Sequence, residues 1–164
     1  MAGWGQDSLR RATLLAFVVP AALLGGAYVS QYGFGLYPCE MCWWQRWPHF
    51  AALPLALGAF VMGRQGVRRA LVMLAALAIL ISGLIGGYHA GVEYGWWEGI
   101  TTCSSTVMPG SGKDVLDAIL NAPLIRCDIA PWTLFGISLA GYNFLISTLG
   151  ALAIFGLLRK GAKA

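Results

Sequence analysis

The sequence has few charged residues, since Asp, Glu, Lys and Arg together make up only 11% of its 164 positions. A soluble domain of this length carries about a quarter charged residues, so the composition excludes an ordinary soluble protein. Hydrophobic residues instead reach 58%. The formal net charge of +4 does not indicate nucleic-acid binding, because most basic residues lie at the ends of apolar runs. The length favours a single membrane domain covering residues 1–164.

Four apolar runs stand out, at roughly residues 12–30, 43–62, 70–91 and 131–158. A helix needs about 20 apolar residues to cross the hydrocarbon core, and its backbone groups must be satisfied within the segment. We therefore expect an all-α membrane protein, a bundle of four transmembrane helices with loops at about 31–42 and 92–130. The first run could instead be a cleaved signal peptide. It is longer than the usual apolar core of about 7–15 residues, however, and no clear A-x-A site follows.

Basic residues fall mainly on one side of this four-span arrangement. Eight of the eleven do so, namely Arg10, Arg11, Arg64, Arg68, Arg69, Arg159, Lys160 and Lys163. The positive-inside rule makes that side cytoplasmic. Both termini are therefore expected inside, and the loops at residues 31–42 and 92–130 are expected on the outer side.

All four cysteines fall in those two outer loops, on the side where disulfides form and persist. Cys39 and Cys42 lie at the mouth of the second run, while Cys103 and Cys127 lie in the long loop. Four cysteines allow three connectivities, and the sequence alone does not choose among them. The natural arrangement joins Cys39 with Cys42 and Cys103 with Cys127.

The segment from Pro38 to Arg46 carries the strongest motif, a C-x-x-C at the expected start of a helix. This spacing places two sulfurs one turn apart, where the helix N-terminus and nearby cations stabilise thiolates. Arg46 follows Cys42 by four residues and lies on the same helical face. The pattern favours a redox pair at the membrane boundary. The alternative is a structural disulfide, with Arg46 snorkelling to the interface.

Two kinds of metal site are disfavoured by the spacing of the cysteines. A c-type haem needs C-x-x-C-H, but Trp43 follows Cys42 here. Structural zinc sites usually combine two close ligand pairs, and the sequence contains one such pair. We therefore expect no metal.

The segment Pro38-Cys39-x-x-Cys42-x-x-Gln45-Arg46 is similar to the quinone-proximal motif of the DsbB family, bacterial membrane proteins that reoxidise a periplasmic dithiol oxidase. The DsbA–DsbB–quinone system keeps the bacterial periplasm oxidising. The resemblance covers nearly the whole chain, through the segments Tyr88-His89-Ala90-Gly91-Val92-Glu93, Thr102-Cys103, Cys127, Pro131-Trp132 and Leu134-Phe135-Gly136. It implies an inner-membrane enzyme, a quinone-dependent protein thiol:disulfide oxidoreductase.

The resemblance also implies a path for electrons. A DsbA-like oxidase of the thioredoxin fold attacks Cys103 and frees Cys127, and the electrons then move to the Cys39–Cys42 pair. Cys42 faces the membrane quinone, which is ubiquinone or menaquinone, and Arg46 stabilises that contact. The implied partners are thus this oxidase, the quinone and the lipid bilayer.

The two histidines are further candidates. His89 matches a family position near the quinone, which the resemblance implies as part of the cofactor site. His49 lies three residues beyond Arg46 on the same helical face, and it ranks below His89. Gln45 is assigned no proton-transfer role, since some family members have glutamate there.

The long loop contains apolar positions at helical spacing, namely Val115, Leu116, Ile119 and Leu120. They predict a short amphipathic helix lying in the membrane surface. Gly110 and Gly112 would let the loop carry Cys103 to a partner and back. The alternative is a loop that its disulfide merely staples.

Three other functions compete with this interpretation. A vitamin K epoxide reductase homologue shares the redox logic, but there the C-x-x-C follows the loop pair, whereas here it comes first. A transporter of reducing power would need cysteines exposed to the cytoplasm or buried in mid-span. A non-enzymatic scaffold with two structural disulfides remains open, and it differs in not changing redox state when quinone is added.

Overall fold

The structure, a computed structural model, describes residues 2–101 and 125–163. It contains four helices, with the bounds α1 Ala2–Gly33, α2 Glu40–Val61, α3 Gln65–Glu93 and α4 Leu139–Lys163. Two short strands, β1 Thr133–Leu134 and β2 Ile137–Ser138, precede α4. The amphipathic helix expected at 115–120 lies outside the described residues. We call the end of the bundle where α2 begins and α3 ends the cysteine end.

Within the described part of the chain, three helices are long and apolar enough to cross a membrane. The segments are Gln6–Gly33, Gln65–Glu93 and Leu139–Gly161, so the chain is a mostly helical, multi-pass membrane protein. Helix α2 falls outside this set because Gln45, Arg46 and His49 lower its hydropathy. Those three side chains are buried inside the bundle. Length and composition thus support three of the four expected crossings.

The fourth apolar run does not become helical where the sequence indicated. A span over residues 131–158 was expected, but α4 begins at Leu139, and an antiparallel hairpin occupies residues 133–138. Its turn residues, Phe135 and Gly136, have φ angles of 50° and 77°, as a two-residue type I′ turn requires. Two left-handed residues in succession cannot continue a right-handed helix. The prediction that the fourth helix begins at Pro131 is therefore wrong.

Small side chains let the helices approach one another. Helix α3 packs against α2 and α4, and α1 packs against α4 and α2. The buried core contains eight alanines with no exposed surface, Ala12, Ala16, Ala52, Ala56, Ala59, Ala75, Ala76 and Ala151. Because lipid tails are as apolar as side chains, close packing of small residues is a main source of helix association in membranes. The buried alanines therefore allow the helices of this bundle to pack closely.

Two tyrosines fix the hairpin to the cysteine end. Tyr94, which caps α3, donates a hydrogen bond from its Oη to the carbonyl of Gly136 at 3.1 Å. The same Oη accepts the N–H of Ser138 at 3.0 Å. Tyr142 of α4 donates to the carbonyl of Leu134 at 3.1 Å. The hairpin therefore links the last turn of α3 to the first turns of α4.

Candidate active site

The C-x-x-C motif forms the first turn of α2, as its spacing predicted. Cys39 is the N-cap residue, and its Sγ accepts a hydrogen bond from the N–H of Cys42 at 3.3 Å. Both cysteines are free thiols, with their Sγ atoms 2.9 Å apart. The first turn thus brings both sulfurs to one side of the helix N-terminus, where a thiolate is stabilised.

Cys39 is the more enclosed of the two thiols, with only 4% of its surface exposed. The pKa of the Cys39 thiol is raised above the ordinary range, mainly by its hydrogen bond to Cys42 and secondly by its burial. Cys39 therefore keeps its proton in the dithiol state and donates it toward the sulfur of Cys42. That hydrogen bond favours negative charge on Cys42.

Cys127 lies close to this pair. It packs, together with Cys42, against a small buried cluster that contains Cys39, Met41 and Val92, and it is also a free thiol. Three of the four predicted redox cysteines therefore come together at the cysteine end. The fourth, Cys103, lies outside the described residues.

Arg46 is held in place by neutral groups of α1. Its Nη1 donates to Oε1 of Gln31 at 2.7 Å, and its Nη2 donates to the carbonyl of Ala27 at 3.5 Å. The rings of Tyr28 and Trp43 lie 5.2 and 4.9 Å from its Cζ, within range for cation–π attraction. Only 6% of the residue is exposed, so it does not snorkel.

Among the residues that the structure describes, no acidic side chain pairs with the positive charge of Arg46. Across residues 2–101 and 125–163, Arg126 pairs with Asp128, and the ring of His89 lies 3.8 Å from Oε1 of Glu93, but Arg46 has no such acidic partner. A buried cation held only by neutral partners is costly unless a negative charge forms beside it. A thiolate formed on Cys42, one helical turn away, would provide such a charge.

His89 joins the thiols to the interior of the bundle. Its Nδ1 lies 2.8 Å from Nε2 of Gln45, which also donates to the carbonyl of Met41 at 3.2 Å. Because the amide nitrogen is a donor, Nδ1 accepts, and the neutral ring carries its proton on Nε2. That Nε2 lies 3.6 Å from Sγ of Cys39 and 3.8 Å from Oε1 of Glu93. His89 therefore presents an N–H group toward Cys39, Glu93 and the backbone carbonyl of Cys127.

A buried polar network continues from Gln45 to α4, and the sequence analysis missed most of it. Oε1 of Gln45 accepts a hydrogen bond from Nδ2 of Asn143 at 2.8 Å. Oδ1 of Asn143 lies 3.0 Å from Nε2 of His49 and accepts from Oγ of Ser147 at 3.0 Å. Polar residues inside an apolar span commonly mark functional sites. Asn143 and Ser147 are such polar residues, four positions apart in α4, and they could have indicated the network.

Two cavities meet at Cys42, each with a volume of about 340 Å³. The deep cavity lies between α1, α2 and α4, and its polar lining includes Cys42, Arg46, His49 and Asn143. The rim cavity lies at the cysteine end, and its lining includes Cys39, Cys42, His89, Glu93 and Arg126. The sulfur-bearing residue Cys42 thus borders both cavities, whereas Cys39 and His89 line only the rim cavity.

The thiol pair and His89 also form a possible metal-binding group. The Sγ atoms of Cys39 and Cys42 and a ring nitrogen of His89 lie within 4.8 Å of one another. A metal would require a deprotonated ring nitrogen, however, and the bond from Gln45 leaves the proton on the nitrogen that faces Cys39. The hydrogen bonds therefore suit a dithiol better than a metal ligand set.

These features define the class of the protein, a multi-pass membrane protein with a pair of adjacent free thiols at one end of its helical bundle. The family model described as "Disulfide bond formation protein DsbB" matches residues 9–157. The chain belongs to the DsbB family, which confirms the resemblance found in the sequence. As a member of this family, it is a membrane protein that takes part in disulfide bond formation.

Individual relatives agree with this assignment. The chain is similar to two proteins named "Disulfide bond formation protein B", at 33% identity in Aromatoleum aromaticum and 30% in Chromohalobacter salexigens. These matches cover 93% and 89% of this chain, and 95% and 91% of the relatives. It is 26% identical to "Uncharacterized protein RP370" of Rickettsia prowazekii, over 87% of this chain and 83% of that protein. No solved structure matches.

Proposed function

We propose that this protein takes electrons from the dithiol of a periplasmic, DsbA-like oxidase of the thioredoxin fold and passes them through two cysteine pairs to a membrane quinone. The observation that carries the proposal is the position of Cys42 between two cavities. The rim side holds Cys39, and Cys127 packs against the cluster that contains Cys39. On the deep side lies an apolar space that contains a fixed cation.

The proposal requires α2 to cross the membrane beside the other three helices. Its 22 residues span about 33 Å at 1.5 Å per residue, which covers a hydrocarbon core of about 30 Å. Its polar side chains lie inside the bundle, where they avoid lipid. With eight basic residues at the opposite end, the positive-inside rule supports a periplasmic cysteine end in the bacterial inner membrane. Both termini are then cytoplasmic.

The deep cavity fits the ring of a ubiquinone or menaquinone. Its volume of about 340 Å³ lies within the usual range for ligand pockets, about 300–1,000 Å³. Most of its walls are apolar, with residues such as Leu23, Leu139 and Ile146, and its polar groups converge from α2 and α4. When bound there, a quinone would supply the capacity to accept two electrons and two protons.

Disulfide exchange at the rim conserves atoms and electrons at each step. The partner's thiolate attacks Cys103 of a Cys103–Cys127 disulfide, forming a mixed disulfide and releasing Cys127 as a thiolate. Cys127 then attacks Cys39 of the Cys39–Cys42 disulfide, so that a Cys39–Cys127 bond forms and Cys42 leaves as a thiolate. The partner's second thiolate displaces Cys103 and completes the partner's disulfide. Cys103 then attacks Cys127, which re-forms the Cys103–Cys127 disulfide and releases Cys39 as a thiolate. The packing of Cys127 against the cluster that contains Cys39 supports this order.

The remaining residues act on charge and protons. Arg46 favours the Cys42 thiolate by attraction of opposite charges, and its bonds to α1 hold the guanidinium beside the deep cavity. We place His89 with the thiols, because it lines the rim cavity and presents Nε2 to Cys39. Its predicted role in holding the quinone then becomes indirect, through Gln45.

The test uses the purified full-length protein in lipid nanodiscs, with a reduced DsbA-like oxidase and a short-chain ubiquinone. Quinone absorbance and partner thiols are followed together, and we expect one quinone reduced for each partner disulfide formed. Cys42→Ser should abolish quinone reduction. Cys103→Ser should abolish the mixed disulfide with the partner, yet leave the Cys39–Cys42 pair open to reoxidation by quinone.

Two outcomes would contradict the proposal. If the partner's thiols are oxidised no faster with the protein than without it, the chain is not the oxidant of such a partner. If Cys103→Ser oxidises the partner at the normal rate, the loop pair is only structural. A scaffold would leave the redox state of all four cysteines unchanged on addition of quinone.

A further inference from the structure

His49 has a ring nitrogen that its surroundings leave unused. The residue is only 2% exposed, and it lines the deep cavity together with Cys42 and Arg46. Its Nδ1 is buried and has no hydrogen-bond partner among the described residues. Buried polar atoms nearly always have a partner, so an unpaired nitrogen in a residue that borders a cavity points to a ligand.

The surrounding network determines which of the two ring nitrogens carries the proton. Oγ of Ser82 donates to the backbone carbonyl of Gln45 at 2.7 Å, so it accepts from Nε2 of His49 at 2.9 Å. Nδ2 of Asn143 donates to Oε1 of Gln45 and to the carbonyl of Ser82. Its Oδ1 is therefore an acceptor for Nε2 of His49 at 3.0 Å. Neutral His49 thus has its proton on Nε2 and a lone pair on Nδ1.

A lone pair at this position distinguishes the two redox forms of a quinone. A quinone oxygen is a carbonyl, which only accepts hydrogen bonds. Its lone pairs would therefore face the lone pair of Nδ1 and repel it. Reduction converts each carbonyl into a hydroxyl, which can donate to Nδ1. Arg46 does not make this distinction, because its N–H groups can donate to either a carbonyl or a hydroxyl oxygen.

We propose that Nδ1 of His49 accepts a hydrogen bond from a hydroxyl group of the reduced quinone, so that the deep cavity binds quinol more tightly than quinone. The inference rests on the proposed function and adds the preferred redox form of its ligand. As the Cys39–Cys42 disulfide forms, the two thiols lose two electrons and two protons, and the same electrons and protons convert quinone into quinol. The contact with His49 therefore stabilises the product side of this exchange.

The test measures binding to the full-length protein in nanodiscs, with its cysteines oxidised and oxygen excluded. Ubiquinone-1 and ubiquinol-1 are titrated separately, and binding is read from quenching of tryptophan fluorescence. His49→Gln keeps an amide near the position of Nε2, so the bonds to Ser82 and Asn143 survive while the acceptor at Nδ1 is lost. We expect a loss of about threefold to tenfold in quinol affinity, the effect of one neutral hydrogen bond, with little change for quinone.

Thr148→Val is the matched control. Oγ1 of Thr148 is likewise a buried side-chain atom without a partner in the described part of the chain, but the residue does not line the deep cavity. Both affinities should stay unchanged in this variant. An equal loss of quinol affinity in Thr148→Val and His49→Gln would trace the effect to packing and overturn the inference.

A second measurement, on the unaltered protein, does not depend on the folding of the His49 variant. The chain has only two histidines, so ¹⁵N-histidine labelling gives four ring signals, which His89→Gln assigns. Quinol should shift the Nδ1 signal of His49, and quinone should not. If the protein binds neither form, the proposed function fails. If it binds both, yet the Nδ1 signal responds equally to each, only this inference fails.

Discussion

Sγ of Cys39 lies 3.6 Å from Nε2 of His89, although the two residues are fifty positions apart in the sequence. The contact joins the first turn of α2 to the last turns of α3. It exists because Gln45 holds the opposite side of the ring, at 2.8 Å from Nδ1. An N–H group aimed at a sulfur stabilises negative charge there, which is useful whenever Cys39 is a leaving group.

The first prediction concerns this N–H group. His89→Phe keeps a planar ring but removes the donor, so the reduced Cys39–Cys42 pair should lose stabilisation and its reduction potential should fall. His89→Gln places an amide N–H near the position of Nε2 and should retain most of the effect. The potential is measured by equilibration with glutathione buffers and alkylation. Equal potentials in all three proteins would limit His89 to a packing role.

The second prediction concerns the charge of Arg46. Arg46→Met removes a charge-assisted interaction of roughly 1.5–3 kcal/mol, so apparent quinone affinity should fall about tenfold to hundredfold. Arg46→Lys keeps a charge but loses the planar fork that binds Gln31 and the carbonyl of Ala27, and its loss should be smaller. Quinone reduction is measured over a range of quinone concentrations, beside a thiol titration of Cys42.

Arg64→Met is the control for that experiment. Arg64 is an exposed residue at the N-cap of α3, at the end of the bundle opposite the cysteines, and its loss should not affect quinone affinity. If Arg46→Met shows the same quinone dependence and the same Cys42 titration as the unaltered protein, then Arg46 is only an anchor for α1.

The C-x-x-C pair and Arg46 could be predicted from the sequence because local geometry determines their positions. A helix N-terminus places Cys39 beside Cys42, and four residues place Arg46 on the same face. Helices α1, α2 and α3 likewise overlap the first three apolar runs. The hairpin could not be read in this way, since it lies within the fourth apolar run and its turn is determined by two left-handed residues, Phe135 and Gly136.

The polar network escaped the sequence analysis for a different reason. Its members, His49, Ser82, Asn143 and Ser147, come from three helices, and only tertiary packing brings them together. Their spacing along the chain carries no common period. Placing Asn143 beside Gln45 requires knowledge of which helix packs against which.

The third prediction concerns the course of α2. If this helix crosses the membrane, cysteines introduced just before and just after it should be accessible from opposite sides. Phe34 and Met62 are exposed residues in the two flanking links. In intact spheroplasts, Phe34→Cys should react with a membrane-impermeant maleimide and Met62→Cys should not, and inverted vesicles should reverse the pattern. Labelling of both sites from one side would contradict the four-span arrangement.

The last prediction concerns Gly86, whose missing side chain leaves room for the network. A Cβ at this position would lie 2.9 Å from Nδ2 of Asn143 and 3.0 Å from the backbone carbonyl of Ala140. The carbonyl belongs to the first turn of α4 and cannot move without shifting the helix. Gly86→Ala should therefore displace Asn143 from Gln45, and overpacking of this kind costs about 1–3 kcal/mol.

Gly25→Ala is the matched substitution, because a Cβ at Gly25 of α1 meets no atom within 4 Å. Alanine favours helix over glycine, so this variant should be as stable as the unaltered protein or slightly more so. Thermal unfolding in nanodiscs compares the two variants, and quinone binding reports on the network. Gly86→Ala should unfold several degrees lower and bind quinol more weakly, since Asn143 also positions His49. Equal stability of the two variants would mean that α3 and α4 can separate freely at this point, and the network would then not depend on their close approach.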